Sequence, residues 1–274
     1  MMSSGVLAGK FQKEEIYTVE DSFGVTFKEA LESIDYSGSM KNRLKKATAF
    51  LELHIEQGPI LDHCLTSIGI VDCVVGMTCY NIKILGESNH AGTTPMSMRN
   101  DALFNANDLI TLLRERLGKI DKQIVFTKGK MDVYPNLHTL IPERVSFTVE
   151  ARHQDAHVIL EVEEVIKGLA RSHGEESSAV NVKKMWERET IWFESRFRDL
   201  IEKSASELKF SYQRLVSGAG HDAQFIADYI PSAMIFVPSV NGKSHAEDEM
   251  THMDDCEKGI NVLLKTVMQL MKEN

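Results

Sequence analysis

The stretch Ala233-Met234-Ile235-Phe236-Val237 is apolar at every position and decides the fold class. A strand with this pattern is typical of a sheet that is covered by helices on both faces, because neither face alternates with polar residues. Apolar residues at helical spacing flank it, over residues 197–208 and 260–270. The sequence therefore predicts an α/β domain that includes residues 187–274.

A second strand is predicted at residues 50–56, where the pattern alternates between an apolar and a polar face. Gln57-Gly58-Pro59 then ends the strand. A helix is predicted upstream, at residues 26–33. The alternation assigns three residues to each face of the strand: Leu51, Leu53 and Ile55 to the apolar face, and Glu52, His54 and Glu56 to the polar face.

Residues 78–186 show a different and self-contained pattern. The order βαββαβ is that of a split, ferredoxin-like unit, in which two helices cover one face of a sheet. We therefore expect an α/β domain, made of residues 1–77 and 187–274, that is interrupted by this insert. The predicted elements of the insert are a strand at 80–84, a helix at 102–117 capped by Asn100 or Asp101, strands at 123–133 and 145–149, a helix at 158–170 and a strand at 180–185.

Composition limits the classes of partner and compartment. With 43% hydrophobic residues among 274, the chain can bury a core, and its formal charge of −9 argues against a nucleic-acid backbone as partner. No apolar run reaches the roughly 18 residues of a membrane span, and the N-terminus lacks a signal-peptide layout. The four cysteines follow no CxxC pattern, so we expect reduced thiols in a cytoplasmic protein: Cys64, Cys73, Cys79 and Cys256.

Histidines follow several predicted strands, at positions where loops of an α/β sheet converge on ligands. His54, His90 and His245 each lie within four residues of a Gly, Pro or Ser, and His221 follows two glycines and precedes Asp222. Glu52 and Glu56 flank His54 on its strand face and could orient one of its ring nitrogens, as carboxylates do beside metal-bound histidines. Alternatives remain for two of these residues, since His54 also suits a surface histidine and His221 an Asx-type turn that opens a helix.

Five motifs occur together in one order, and they resemble one enzyme family. Through them the chain is similar, from about residue 40 to its end, to N-carbamoyl-L-amino acid hydrolases, β-ureidopropionases and allantoate amidohydrolases. These form a branch of the dinuclear metallo-aminoacylase and carboxypeptidase superfamily. The motifs are ELHIEQGPILD (52–62), GESNHAGTTPM (86–96), IPERV (141–145), SGAGHDAQ (217–224) and MIFVPSVNGKSHAEDE (234–249).

The resemblance implies a hydrolase that cuts a C–N bond in a ureido acid, with two divalent ions of zinc, manganese or cobalt that activate water. It also implies a homodimer formed through residues 78–186. The roles implied for single residues are these: His54 and His245 each bind one ion, His90 stabilises the oxyanion across the dimer interface, Arg152 binds the substrate carboxylate, and Gln57, Asn136, Thr139, His221 and Glu249 are substrate-binding or supporting groups.

The chain departs from the family pattern before residue 54. The family's His-x-Asp motif and Glu-Glu pair, which supply further metal ligands and the catalytic base, have no counterpart there, and Glu14-Glu15 is predicted to be exposed surface. Because zinc sites normally use at least three protein ligands, one remaining ligand per ion should not hold two ions. We therefore expect the isolated chain to be inactive unless a separate N-terminal polypeptide, or a longer protein, supplies the missing groups.

Other readings of the sequence stay open. Thr139 replaces an asparagine that the family usually places there, and the motifs do not decide between allantoate and N-carbamoyl-L-amino acids as substrate. A non-catalytic carboxylate-binding or assembly protein derived from the family is the main alternative. An RNA-binding role of the βαββαβ insert is disfavoured, because the chain is acidic and the paired aromatic residues of such modules are missing from its sequence.

Overall fold

The computed structural model describes residues 2–39, 47–176 and 179–273. The chain forms two compact units. The first unit comprises Met1–Val74 and Ile191–Asn274, and the second comprises Val75–Thr190. The predicted boundaries at residues 78 and 186 both lie inside the second unit.

The helices and strands are numbered here in chain order. Short 3-10 turns also occur at Met96–Met98 and Val240–Gly242. The elements are α1 (Met2–Leu7), α2 (Lys13–Tyr17), α3 (Phe27–Ser33), β1 (Phe50–Ile55), α4 (Ile60–His63), β2 (Ile68–Val74), β3 (Gly76–Leu85), α5 (Ala102–Leu117), β4 (Val125–Thr127), β5 (Met131–Tyr134), β6 (Arg144–His153), α6 (Ala156–Glu176), β7 (Val180–Arg188), β8 (Ile191–Trp192), α7 (Ser195–Glu207), β9 (Tyr212–Ser217), α8 (Asp222–Ile226), β10 (Ser232–Val237) and α9 (Met253–Glu273).

The sheet of the first unit is built around β10, which is buried at every position. Strand β10 pairs in parallel with β1 and antiparallel with β2, and β2 also pairs with β8 and β9. Helices α7 and α9 pack on one face of this sheet through an apolar cluster, while α8 contacts β1 and β10. The α/β prediction from the apolar stretch 233–237 is therefore confirmed.

The register between β1 and β10 brings two strand ends together. His54 lies opposite Phe236, and Ile55 lies opposite Val237 at the last pair of the ladder. Because the strands are parallel, their carboxyl ends lie at the same edge of the sheet. The loops that follow β1 and β10 therefore start side by side.

The second unit has the predicted βαββαβ organisation. Its sheet has the strand order β4-β6-β3-β7, with β5 also paired to β6, and α5 and α6 contribute to one apolar core with it. One detail differs, because the single strand expected at 123–133 is two strands, β4 and β5. The interruption falls at Lys128-Gly129-Lys130, where a glycine offers no side chain to pack on the sheet.

Local sequence signals also place several helix ends. Thr26 and Glu29 form a capping box at the start of α3, so the predicted helix at 26–33 is confirmed. The Asp101 carboxylate accepts hydrogen bonds from the first turn of α5. Glu14 and Glu15 are exposed in α2, as predicted.

Among the residues described above, no helix is both long enough and apolar enough to span a membrane.

Candidate functional site

His54 lies on β1, one residue before the strand ends, with its ring orientation fixed by the backbone. Its Nδ1 lies 2.8 Å from the carbonyl oxygen of Ile55. A carbonyl oxygen only accepts hydrogen bonds, so Nδ1 carries the proton and Nε2 keeps a lone pair. A backbone carbonyl on one ring nitrogen is a common feature of metal-binding histidines.

The flanking carboxylates do not orient the His54 ring as the sequence suggested. Glu56 is buried and accepts hydrogen bonds from the backbone nitrogens of Ile60 and Leu61, both at 2.8 Å, at the start of α4. The strand ends at Ile55 and Gln57 has a φ of 55°, so the alternation no longer holds at Glu56. The Ile55 carbonyl takes the orienting role instead.

Glu52 and His221 lie next to His54 in a buried environment. Glu52 Oε2 accepts a hydrogen bond from the Ala223 nitrogen at 2.8 Å, and Oε1 lies 3.9 Å from His221 Nδ1. Burial raises the pKa of the Glu52 carboxyl, and burial together with His54 lowers the pKa of His221 to about 4. His221 is therefore neutral near pH 7, and its approach to Glu52 is not an ion pair there.

These three side chains form a group that could hold a metal ion. Glu52, His54 and His221 each offer one donor atom, and these atoms lie within 4.8 Å of one another. The two imidazole rings are edge to face with their centroids 4.7 Å apart, and Phe236 packs beside both. Imidazole and carboxylate donors suit zinc and other transition metals.

The sequence suggested part of this group. His54 and His221 were predicted as site residues, whereas Glu52 was predicted only to orient a histidine. Its position two residues before His54 on the same strand face was the available signal. Ser217, whose Oγ lies 2.7 Å from His221 Nε2, was part of a quoted motif but received no role.

His245 is an exposed residue of the loop that follows β10, and hydrogen bonds link this loop to the end of β1. Gln57 Nε2 donates to Ser244 Oγ at 3.1 Å, and the Gln57 nitrogen donates to Ser239 Oγ at 3.0 Å. Glu249 Oε2 accepts a hydrogen bond from the His245 nitrogen at 2.9 Å. Three predicted residues, Gln57, His245 and Glu249, are thus joined in one network.

His90 belongs to the second unit, in a loop that pairs with the loop carrying Asn136 and Thr139. The Ala91 nitrogen donates to the Thr139 carbonyl at 2.9 Å, and His90 forms an isolated bridge with Leu140. Asn136 has a φ of 58°, in the left-handed region that asparagine tolerates better than most residues. The structure therefore brings these predicted residues onto adjacent loops.

Arg152 lies in the same unit, near the other end of its sheet. Its Nε donates to Glu150 Oε1 at 2.7 Å, so a neighbouring carboxylate holds the guanidinium in place. Strand β6 pairs Arg144 with Leu85 at one end and Arg152 with Met77 at the other. Eight residues of strand at about 3.3 Å each separate Arg144 from Arg152 by about 26 Å.

Comparisons with known proteins agree with the motifs. The model of peptidase family M20/M25/M40 matches residues 14–269. The chain is 31% identical, over 96% of its length, to an allantoate amidohydrolase of Escherichia coli K12, and spans 64% of that relative. It is 32% identical, over 98% of its length, to an N-carbamoyl-L-amino-acid amidohydrolase of Paenarthrobacter aurescens, and spans 67% of it.

A solved structure shows the same similarity in three dimensions. It is the crystal structure of an amidase of the hydantoinase/carbamoylase family from Burkholderia multivorans, with a TM-score of 0.85 and 36% identity. The match covers 96% of this chain and 64% of that one, so the chain spans less than two thirds of that relative's length. The family match, which extends over most of the sequence, shows that the chain belongs to peptidase family M20/M25/M40.

Proposed function

We propose that this chain carries part of the active site of a metal-dependent amidohydrolase that acts on an N-carbamoyl-L-amino acid or on allantoate. The observation that carries the proposal is the match of 96% and 98% of the chain to relatives named for these two activities. In the reaction, the C–N bond of the ureido group breaks. Water supplies a hydroxyl to the carbon and a proton to the leaving nitrogen, and the carbamate decomposes to ammonia and carbon dioxide.

The donor atoms of the first unit support a divalent cofactor. Two ions of zinc, manganese or cobalt are proposed, one bound by His54 and one by His245. His54 is suited to this role, because its Nδ1 is held by the Ile55 carbonyl and its Nε2 has a free lone pair. Bound divalent ions would polarise the ureido carbonyl and lower the pKa of water toward neutrality.

His90 is proposed as the group that stabilises the oxyanion. Its Nδ1 accepts hydrogen bonds from the backbone nitrogens of Gly92 at 2.9 Å and Thr93 at 3.2 Å. In the neutral ring the proton must then lie on Nε2, which leaves Nε2 as a donor. A fixed donor of this kind is what a developing negative charge on the carbonyl oxygen requires.

Arg152 is proposed to bind the substrate carboxylate, since the guanidinium fork matches two oxygens. Arg152 Nε donates a hydrogen bond to Glu150 Oε1 at 2.7 Å, so the guanidinium is already held in place before a substrate binds. The remaining groups are proposed to position the substrate or to support the residues that do so: Gln57, Asn136, Thr139, His221 and Glu249.

A homodimer formed through the second unit is part of the proposal. His90 and Arg152 lie toward opposite ends of the same sheet, farther apart than the length of a small ureido acid. This placement favours a dimer in which the two groups reach one substrate molecule from different copies. His90 of one copy would then serve the substrate that Arg152 of the other binds.

A reducing compartment, such as the cytoplasm, is proposed as the location. All four cysteines are free thiols, two of them buried. Structural disulfides are common in oxidising compartments and rare in the cytosol. Thiols of this kind are therefore consistent with a protein that stays reduced.

The activity is tested by measuring ammonia release from allantoate and from N-carbamoyl-L-amino acids in the presence of zinc, manganese or cobalt. The chain is assayed alone and together with the N-terminal third of a relative that carries the His-x-Asp and Glu-Glu motifs. We expect release from at least one substrate in the combined preparation, and loss of release in His54→Asn. The exposed His63→Asn is the matched control.

If an intact, metal-loaded combined preparation releases no ammonia from either substrate, the proposed activity is wrong. Binding provides a second measurement that does not depend on turnover. Isothermal titration should detect binding of an N-carbamoyl-L-amino acid or of allantoate, and Arg152→Gln should weaken it. Binding of neither acid would support the non-catalytic alternative of an assembly protein.

A further inference from the structure

One arginine crosslinks the loop that carries His90. Arg99 is half-buried, and its guanidinium donates to two backbone carbonyl oxygens, from Nη2 to Ala91 at 2.5 Å and from Nε to Thr94 at 3.0 Å. A guanidinium group offers its donors in a rigid planar fork, which can hold two acceptors at once. Arg99 therefore fixes the loop on both sides of the dipeptide Gly92-Thr93.

The same dipeptide holds the His90 ring. The backbone nitrogens of Gly92 and Thr93 donate to His90 Nδ1, at 2.9 and 3.2 Å. Because Nδ1 accepts both bonds, the proton of the neutral ring lies on Nε2, the atom proposed to donate to the developing oxyanion. The tautomer of His90 thus depends on the direction in which these two N–H groups point.

A single peptide unit connects Arg99 to His90. The carbonyl of Ala91 and the N–H of Gly92 belong to this unit, which is planar and trans, so the C=O and N–H bonds point in opposite directions. Arg99 binds the carbonyl end, and the His90 ring binds the N–H end. If the carbonyl turns away from Arg99, the N–H must turn away from His90 Nδ1.

Glycine at position 92 makes such a rotation easy. Rotating the peptide unit changes the ψ of Ala91 and the φ of Gly92, and glycine adopts positive and negative φ about equally readily. The Ala91 nitrogen donates to the Thr139 carbonyl, but it belongs to the preceding peptide unit and does not restrain the Ala91 carbonyl. In the described part of the chain, Arg99 is the donor that holds this carbonyl.

We propose that Arg99 is a positioning residue for the hydrolysis, because it fixes the Ala91–Gly92 peptide unit and thereby keeps the His90 proton on Nε2. This inference rests on the proposed function, in which His90 stabilises the oxyanion. The charge of the guanidinium also polarises the peptide unit, which strengthens the N–H donor at its other end.

The inference is tested in the full chain by nitrogen-15 NMR of the His90 ring and by hydrogen exchange of the Gly92 amide, neither of which requires turnover. In the unmodified chain, we expect the neutral ring to carry its proton on Nε2. Arg99→Gln should give a mixture of both tautomers, and its Gly92 amide should exchange about tenfold faster, the effect of losing one hydrogen bond. Arg116→Gln, at an exposed position of α5, is the matched control and should change neither signal.

Kinetics separate positioning of His90 from a general structural effect. Where the combined preparation hydrolyses a ureido acid, Arg99→Gln should lower kcat about 10- to 100-fold and leave KM nearly unchanged, because the His90 donor acts in the transition state. Arg99→Lys keeps the charge but cannot hold both carbonyls in one fork, so its kcat and its NMR signals should be intermediate. Circular dichroism checks that each variant is folded, and Arg99→Lys carries the test if Arg99→Gln does not fold.

Three results would overturn the inference. The first is a proton on His90 Nδ1 in the unmodified chain. The second is an unchanged tautomer and unchanged Gly92 exchange in a folded Arg99 variant, and the third is a changed tautomer without a fall in kcat. The expected NMR changes, combined with no hydrolysis of either ureido acid by the combined preparation, would instead refute the proposed activity and leave the link between Arg99 and His90 standing.

Discussion

The imidazoles of His54 and His221 lie edge to face with their centroids 4.7 Å apart, although 167 positions separate them in the sequence. The contact exists because β1 and β10 are neighbours and α8, which begins directly after His221, packs on both strands. The polar face of β1 is turned toward this helix, while its apolar face packs with α7 and α9. The positions of the side chains in the candidate site therefore depend on the packing of β1 against these helices.

A tight contact of α9 with β1 and β10 gives a first prediction. A Cβ added at Gly259 would lie 2.6 Å from Val237 Cγ1 and 2.8 Å from Leu53 Cδ1, both in the packed core. Gly259→Ala should therefore lower the free energy of unfolding by about 1–3 kcal/mol, as overpacking does. Urea denaturation measures the change.

The matched control for this substitution is Gly168→Ala in α6, where an added Cβ meets nothing within 4 Å. Alanine loses less backbone entropy than glycine when a helix forms, so this substitution should raise the free energy of unfolding by roughly 0.5–1 kcal/mol. Opposite signs for the two substitutions are expected. A stabilising Gly259→Ala would mean that α9 does not pack closely on β1.

A second prediction concerns acid sensitivity of the second unit. Hydrogen bonds from Lys167 and Lys184 lower the pKa of the Glu163 carboxyl from 4.5 to about 2, and Lys184 Nζ lies 2.6 Å from Glu163 Oε2. Because the folded pKa is depressed, this contribution to stability is present above pH 4.5 and is lost as the pH falls toward 2. Because solvent screens these ion pairs, their contribution to the free energy of unfolding is limited to about 1 kcal/mol.

Glu163→Gln should therefore be less stable than the unmodified chain at pH 7, with the difference shrinking at pH 3. Glu161→Gln, an exposed neighbour in α6, is the control and should change stability little at either pH. Chemical denaturation at both pH values measures the difference. Equal destabilisation by Glu163→Gln at pH 7 and pH 3 would refute the assigned role of the ion pairs.

A third prediction concerns the start of α5, which lies beside the loop of His90. The Asp101 carboxylate accepts hydrogen bonds from the Leu103 nitrogen at 2.9 Å and the Phe104 nitrogen at 3.2 Å. Asp101→Ala should destabilise the chain by about 0.5–2 kcal/mol, the usual cost of losing an N-cap. Asp108→Ala, at an exposed position of the same helix, should cost little, and equal effects of the two substitutions would argue against the cap.

A fourth prediction tests the dimer. Under conditions in which the unmodified chain hydrolyses a ureido acid, the His90→Asn variant and the Arg152→Gln variant should each be inactive. If His90 of one copy serves the substrate bound by Arg152 of the other, random mixing of the two variants should restore about a quarter of the activity, because half of the dimers contain one intact site. If the activity does not return although native mass spectrometry shows that subunits have exchanged, His90 and Arg152 of the same copy act on one substrate molecule.

Much of the fold could be predicted because local patterns specify it. The apolar residues 233–237 predict a central strand, and the alternation at 50–56 predicts a strand with His54 on its polar face. The βαββαβ order of the insert follows from the same periodicities. The split of the strand expected at 123–133 was missed, since one glycine between two lysines does not by itself predict a break.

The candidate site could be predicted only in part, because it depends on long-range register. Nothing in the sequence specifies that Glu52 lies beside His221, since that contact arises from the pairing of β1 with β10 and the packing of α8. The hydrogen bond between Ser217 and His221 is likewise a property of the folded loop. The resemblance to the family's motifs identified the histidines as site residues, and the fold determines which of them lie in contact.

Anomalous diffraction from crystals of the chain grown with zinc is the most direct test of the claim that His54 is a metal ligand. The account predicts an anomalous peak about 2.0–2.1 Å from His54 Nε2, the nitrogen that the hydrogen bond to the Ile55 carbonyl leaves available. A fully occupied zinc site that lies away from His54 would contradict it.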